Sequence, residues 1–438
     1  MVVTILVFLA FIIVGYYSSV DMLGLYLFLL IIHGIFVRLA GADFQNAPAL
    51  IGVLVILMVL SKKKLDYWRH REIKLKYIIL YVAIFLAMII AGFTGIDYDN
   101  SMFYMHLYMK GFVLTLLVYL LVDSRKGIER ISFYYMLGAV AGAIWVGYEF
   151  YTDSFSGGDE WTRRAAGLRA DPNNTAMLMV PGVPLAYYFS LKAGRRLWRY
   201  ALLALIPFLI WALALTGSRG GMLSMTIVML MIIFNKPTIM KILVTVAVVA
   251  GVVLASPGVL FERSSHLTST QKATGDGSIA ARLDLLLTGA KVFAQRPILG
   301  VGPGNFGHAM IAYKLRGDVD AKVPEYLFGD KDKLPVAHNM FLEVFAELGV
   351  IGGLLFFGVV YFSLSNFWRG HRAALRESEY FSLGYALFVA MVGFLIAGLF
   401  LSQGKESVLW FLLGLGLAFH LQDTTLEERQ NEGDLLPE

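Results

Sequence analysis

The chain has 438 residues, 58% of them hydrophobic and 16% charged, with a formal net charge of +5 and no cysteine. A soluble fold of this size cannot hide that much apolar surface, and repeated apolar runs of about 16–24 residues between short charged loops predict an all-α, polytopic membrane protein. Disulfides and thiolate metal sites are excluded, and the positive charge, concentrated in short loops, sets topology and gives no nucleic-acid signature.

The N-terminal stretch "MVVTILVFLAFIIVGYY" has no basic n-region and no small-residue cleavage site, so it is expected to be a retained helix. Apolar runs at 2–19, 22–40 and 48–61 give three candidate helices, of which one is short or re-entrant if the N-terminus lies inside. Five loops are rich in Lys and Arg: 61–76, 123–130, 192–199, 235–241 and 368–376. The positive-inside rule assigns all five to the cytoplasm. Helices then alternate at 77–94, 105–122, 131–150, 175–191, 200–216, 221–234, 242–258, 343–367, 381–401 and 407–421, about 12 spans in all. The chain divides into a first bundle part (1–258), a large outer loop (259–342), the last helices (343–421) and an acidic cytoplasmic tail (422–438) expected to be disordered.

Every loop is short except 259–342. Within it "GDGSIAARLDLLLTGAKVFAQRP" (275–297) predicts a helix capped by Ser278 and stopped by Pro297, with an apolar stripe of Ile279, Leu283, Leu286, Leu287, Ala290 and Phe293 suited to lying on the membrane or on the helix bundle. A structured loop of this length is the natural place for a site.

Three outer elements carry unusual polar groups: Arg219 in "TGSRGG", Arg282 in the loop helix, and His338 in "PVAHNMFLEVFAELGVIGG". Arginine is permanently charged, and its planar fork suits phosphate oxygens. Histidine can take a proton from a hydroxyl at neutral pH. Two fixed charges and one imidazole near the outer leaflet suit a reaction in which an acceptor alcohol displaces a lipid diphosphate, without a metal or other cofactor. The plainer readings are that Arg219 anchors to headgroups, that Arg282 is a solvated face of its helix, and that His338 with Asn339 caps the next helix. Arg163, Arg164 and Arg169, ahead of "DPNN" (171–174) with Asn173, are either substrate-binding groups or surface charge.

Two motif matches carry less. "GVGPGNFG" (300–307) formally contains a dinucleotide fingerprint, but Pro303 interrupts it and no strand–helix unit surrounds it, so it is expected to be a Gly/Pro turn. The pair Asp97 and Asp99 resembles a divalent-cation site only as two carboxylates in a polar loop do.

The three motifs "LTGSRGG", "RLDLLLTGAKVFAQRPILGVGPGNFG" and "AHNMFLEVFAELGVIGG", with "DPNN" upstream, resemble the O-antigen ligase and polymerase superfamily over roughly residues 160–365. The resemblance implies a GT-C-like, metal-independent, inverting membrane glycosyltransferase that moves a glycan from undecaprenyl diphosphate to an acceptor at the periplasmic face of the bacterial inner membrane. It also implies that Arg219 and Arg282 hold the diphosphate and that His338 serves the acceptor hydroxyl. A ligase transferring to lipid A-core is preferred, because a single large loop lies between late helices. A polymerase for O-antigen or exopolysaccharide is the alternative, with a protein O-oligosaccharyltransferase behind it. A transporter would show internal repeats and broken midplane helices, whereas the polar residues here gather on one face.

Overall fold

The computed structural model of the chain describes residues 2–40, 47–59, 75–152, 165, 167, 171–236, 238–239, 278–317, 334, 336–376, 378–402 and 404–433. Among them every regular element is a helix: α1 Val2–Tyr17, α2 Ser19–Ala40, α3 Ala47–Val59, α4 Leu75–Phe93, α5 Tyr98–Leu121, α6 Arg125–Tyr151, α7 Pro172–Met179, α8 Gly182–Lys192, α9 Arg196–Leu215, α10 Arg219–Phe234, α11 Ser278–Gln295, α12 Phe306–Leu315, α13 Met340–Arg376, α14 Leu383–Gly398 and α15 Ser407–Gly433.

Five of these, α4, α5, α6, α9 and α13, are long and apolar enough to cross a membrane, and several shorter apolar helices accompany them. Their outward residues are greasy: Ile144 is 60% exposed and Leu354 62%. In water that surface would be a liability, whereas against lipid tails it costs nothing. The helices are held together by close approach at small residues and by interhelical hydrogen bonds. Trp410 lies over Gly111, and Gly416 lies against Ser363. Thr115 Oγ1 donates to the Trp410 carbonyl at 2.7 Å, and Asn366 Nδ2 to the Gly416 carbonyl at 2.9 Å.

All three candidate helices at the N-terminal end are present, with Gly15 of α1 facing both Met22 of α2 and Met58 of α3. The span expected at 175–191 is two helices, α7 and α8. Pro181 lacks the N–H that a continuous helix would use, and the chain turns at Val180–Pro181. The span expected at 242–258 lies outside the described residues. The last helix runs past 421 to Gly433.

Among the described residues, the basic loops at 123–130 and 192–199 meet at one end. There Arg125 pairs with Glu379 at 2.7 Å, Lys192 with Glu379 at 3.4 Å and Arg130 with Asp21 at 3.3 Å. The opposite end is reached by the C-termini of α6 and α9 and the N-termini of α5, α7, α10, α13 and α15. A second, smaller core lies there, made of Val292, Val301, Phe306, Met310, Tyr313, Ala337 and Ala346. The described part of the long loop is therefore folded and packed, and includes a helix, α12, that the sequence reading left as part of the loop.

Candidate functional site

Arg219 is placed by a two-helix corner. At the end of α9, Thr216 Oγ1 donates to the Leu213 carbonyl, and Gly217 turns the chain with φ +59°. Ser218 then caps α10, its hydroxyl accepting the Gly221 N–H at 3.2 Å. Residues 212–218 are buried, and Arg219, the first residue of α10, is exposed. Its guanidinium therefore stands at a helix N-terminus, where unpaired N–H groups already favour an anion. Gly220 lets this corner close on Phe400, in the turn between α14 and α15.

That same turn holds His338. Ser402 Oγ accepts the His338 backbone N–H at 3.1 Å. His338 has φ +47°, the left-handed region, where a non-glycine residue is strained. Its side chain is exposed. The capping role belongs to Asn339, whose Oδ1 accepts the Leu342 N–H at 3.0 Å, so one residue starts α13 and its neighbour is left to face outward. The 399–402 turn thus meets both Gly220, next to Arg219, and the His338 backbone.

Arg282 lies in α11; its side chain is outside the described residues. The helix packs onto α13 where Gly289 meets Leu342, four residues beyond His338. Among its described residues, the apolar stripe of α11 does not lie on the bundle: Leu286, Leu287 and Ala290 are exposed and Phe293 is half-buried. Thr288, Gly289 and Val292 are buried, while Leu286 and Leu287 are 40% and 55% exposed. Close backbone approach at a glycine, and not the largest side chains, chooses the face, because exposed leucines cost little beside lipid. The helix stops at Gln295, just ahead of Pro297, as the sequence predicts.

The Gly/Pro turn is confirmed and has a structural task. Gly300, Gly302 and Gly304 all have positive φ. Val301 N donates to the Ala346 carbonyl and Gly302 N to the Glu347 carbonyl, both at 2.9 Å, and Ile96 N donates to the Val301 carbonyl at 2.9 Å. Asn305 Nδ2 donates to Ser101 Oγ at 2.8 Å and to the Asp97 carbonyl at 3.0 Å. The turn thus ties α5 to α13. Asp97 is engaged here as the cap of α5 and faces His308 Nε2 at 3.6 Å, and Asp99 is exposed. Among the described residues no three His, Asp or Glu side chains converge.

Asn173 sits in the first turn of α7, its N–H donating to Asp171 Oδ1 at 2.7 Å. Arg163, Arg164 and Arg169 lie outside the described residues. Their neighbours Ala165 and Gly167 do not: Ala165 N reaches the Leu215 carbonyl at 3.5 Å, beside the Arg219 corner.

Sequence reasoning missed three acidic residues here. Glu343 and Glu347, one helical turn apart, are 8% and 2% exposed. Glu347 Oε1 accepts the Phe306 N–H at 3.3 Å, and the same carboxylate also accepts from the backbone of Gly304. Glu343 lies beside the Ser402 hydroxyl, and Lys405, over the Tyr104 ring at 4.3 Å, acts electrostatically on both glutamates. Glu149 of α6 is fully buried and accepts the Gly167 N–H at 2.6 Å. The signal was present as two glutamates four residues apart in the apolar run "MFLEVFAELG", and ionisable groups in such runs are functional by default.

Residues 200–357 match the family model described as Wzy_C, O-Antigen ligase. No curated protein matches the chain. Arg219, the turn at 300–307 and His338 all fall within the matched segment, so this part of a multi-pass membrane protein is similar to the O-antigen ligase family, whose members are glycosyltransferase-like enzymes.

Proposed function

We propose that the protein transfers a glycan from undecaprenyl diphosphate to an acceptor hydroxyl at the periplasmic face of the bacterial inner membrane, as an O-antigen ligase whose acceptor is lipid A-core. The bundle is read as GT-C-like with about 12 spans, the basic loops facing the cytoplasm. The observation that carries this reading is that one turn, 399–402, contacts both the backbone of a strained, exposed His338 and Gly220 next to Arg219.

In this reading Arg219 and Arg282 hold the diphosphate, with the α10 N-terminus adding favourable potential. The His338 imidazole accepts the acceptor hydroxyl's proton as the new bond to the anomeric carbon forms and the bond to the diphosphate oxygen breaks, with inversion. The developing charge on the diphosphate is met by arginine, so no metal is required. Arg163, Arg164, Arg169, Asn173 and Asn339 contact the glycan or the lipid headgroup.

Purified protein would be mixed with an undecaprenyl-diphosphate glycan and either lipid A-core or a second lipid-linked unit. Glycan appearing on lipid A-core supports the ligase. Elongation of the lipid-linked chain alone replaces that reading with a polymerase, and no transfer to either acceptor rejects both.

A further inference from the structure

We propose that Ser402 and Glu343 form a positioning pair that holds His338 in its left-handed backbone conformation and fixes it relative to Arg219; the proposal rests on the catalytic reading of His338.

The chain of contacts is short. The His338 N–H donates to Ser402 Oγ at 3.1 Å, and the Ser402 hydroxyl lies beside the buried Glu343, to which, in this proposal, it donates. A hydroxyl has one proton. Once that proton is directed at a carboxylate, its lone pairs are left facing the other way, toward the His338 N–H, and each bond strengthens the next. His338 pays for φ +47° with strain, and such strain persists only where surrounding structure enforces it. Ser402 is that enforcement, and Glu343 sets the rotamer of Ser402.

The turn that carries Ser402 also carries Phe400, which packs on Gly220 beside Arg219. Lys405, three residues further on, acts electrostatically on both buried glutamates. One turn therefore meets both the His338 backbone and the start of α10 beside Arg219, and transfer from a diphosphate to a hydroxyl depends on how those two are held. None of these groups needs to touch substrate: Glu343 is 8% exposed, and Ser402 acts through its neighbour's backbone. Both are positioning residues.

The test uses the full-length protein and four variants: Ser402→Ala, Ser402→Thr, Glu343→Gln and Glu343→Leu. Misplacing a reacting group by an ångström costs on the order of a hundredfold in rate. Ser402→Ala should therefore lower kcat by about ten- to a hundredfold while KM for the lipid-linked donor stays unchanged. Ser402→Thr, which keeps the hydroxyl, should recover most of the loss. Glu343→Gln still offers an acceptor oxygen to Ser402 and should be mild, whereas Glu343→Leu should behave like Ser402→Ala. The pair Ser402→Ala with Glu343→Leu should be no worse than Ser402→Ala alone, because both act through one contact. Turnover within about twofold of the parent in Ser402→Ala, or equal damage in the alanine and threonine variants, overturns the pairing. So does a raised KM with normal kcat. If Glu343→Leu does not fold, the two Ser402 variants and Glu343→Gln decide alone. Full activity in His338→Ala would instead remove the catalytic reading on which the pair depends, so the two failures are distinguishable.

Discussion

The carboxylate of Glu149, fully buried near the end of α6, accepts the backbone N–H of Gly167 at 2.6 Å and the indole N–H of Trp145 at 3.0 Å. Gly167 has φ +64°, and a Cβ there would run into Thr175. A buried acid thus fastens the chain at Gly167 to the bundle. Glu149→Ala leaves buried donors without an acceptor, a loss of about 1–3 kcal/mol per orphaned group. The melting temperature in detergent should fall clearly, and Glu149→Gln, which retains one acceptor oxygen, should fall less. An unchanged melting temperature in the alanine variant would show that Glu149 is not the anchor.

Gly300 and Gly349 interlock the Gly/Pro turn with the bend in α13. Both have positive φ, and a Cβ on either would meet backbone, the Glu347 carbonyl for Gly300 and the Ile298 carbonyl for Gly349. Neither obstacle is a side chain that can swing away. Left-handed backbone alone costs an alanine about 1–2 kcal/mol, and the overlap adds to it. Gly300→Ala and Gly349→Ala should each lower folded yield and melting temperature. Because the two share one interface, their double variant should lose less than the sum. Strict additivity would mean that the two glycines act separately.

Helices and their ends were legible in the sequence wherever one local rule sufficed. Pro297 follows a stop and the glycines at 300, 302 and 304 turn the chain, whereas the caps Asp97 and Ser218 were not read as such. The site was legible as separate motifs, since Arg219 and His338 announce themselves by charge in an apolar setting. What joins them was not. Ser402 lies 64 residues from His338, and a serine in a short loop carries no pattern. Periodicity left open whether the apolar stripe of α11 lies on the membrane or on the bundle; Leu286 and Leu287 stay outside while Gly289 goes in, which costs little beside lipid. Glu343 and Glu347 were in plain view, but their partners come from the turn at 304–306 and from Ser402, which only the fold supplies.

Arg219 is proposed to act through charge and fork geometry together, at a helix N-terminus. Losing one charge-assisted contact typically costs about 1.5–3 kcal/mol, or about ten- to a hundredfold in rate when the contact acts in the transition state. Arg219→Ala should be folded and nearly inactive, and Arg219→Lys, which keeps the charge without the fork, should remain a poor enzyme. Arg282→Ala and Arg282→Lys should follow the same order. Full transfer activity in either alanine variant takes that residue out of the site.

Transfer should survive EDTA. Asp97 is occupied as a cap and by His308, and the proposed charge stabilisation comes from arginine. Activity abolished by the chelator and restored by Mg²⁺ or Mn²⁺ would give the site to a metal, with Asp97 and Asp99 as its first candidate ligands.

His338 has two roles to choose between, a base and a hydrogen-bonding guide for the acceptor. Its conformation makes the choice testable. The backbone is held by Ser402 and the helix cap is supplied by Asn339, so changing the imidazole removes neither contact. His338→Ala should therefore fold, bind the lipid-linked donor and fail to transfer. His338→Gln keeps hydrogen bonding but cannot accept a proton, and it should not rescue. A base that must be neutral gives a rate that falls at low pH as the imidazole becomes protonated, and that acid limb should vanish from the residual activity of the variants. Near-normal turnover in His338→Gln, with the acid limb intact, would rule out the base and leave His338 as the residue that points the acceptor hydroxyl at the anomeric carbon.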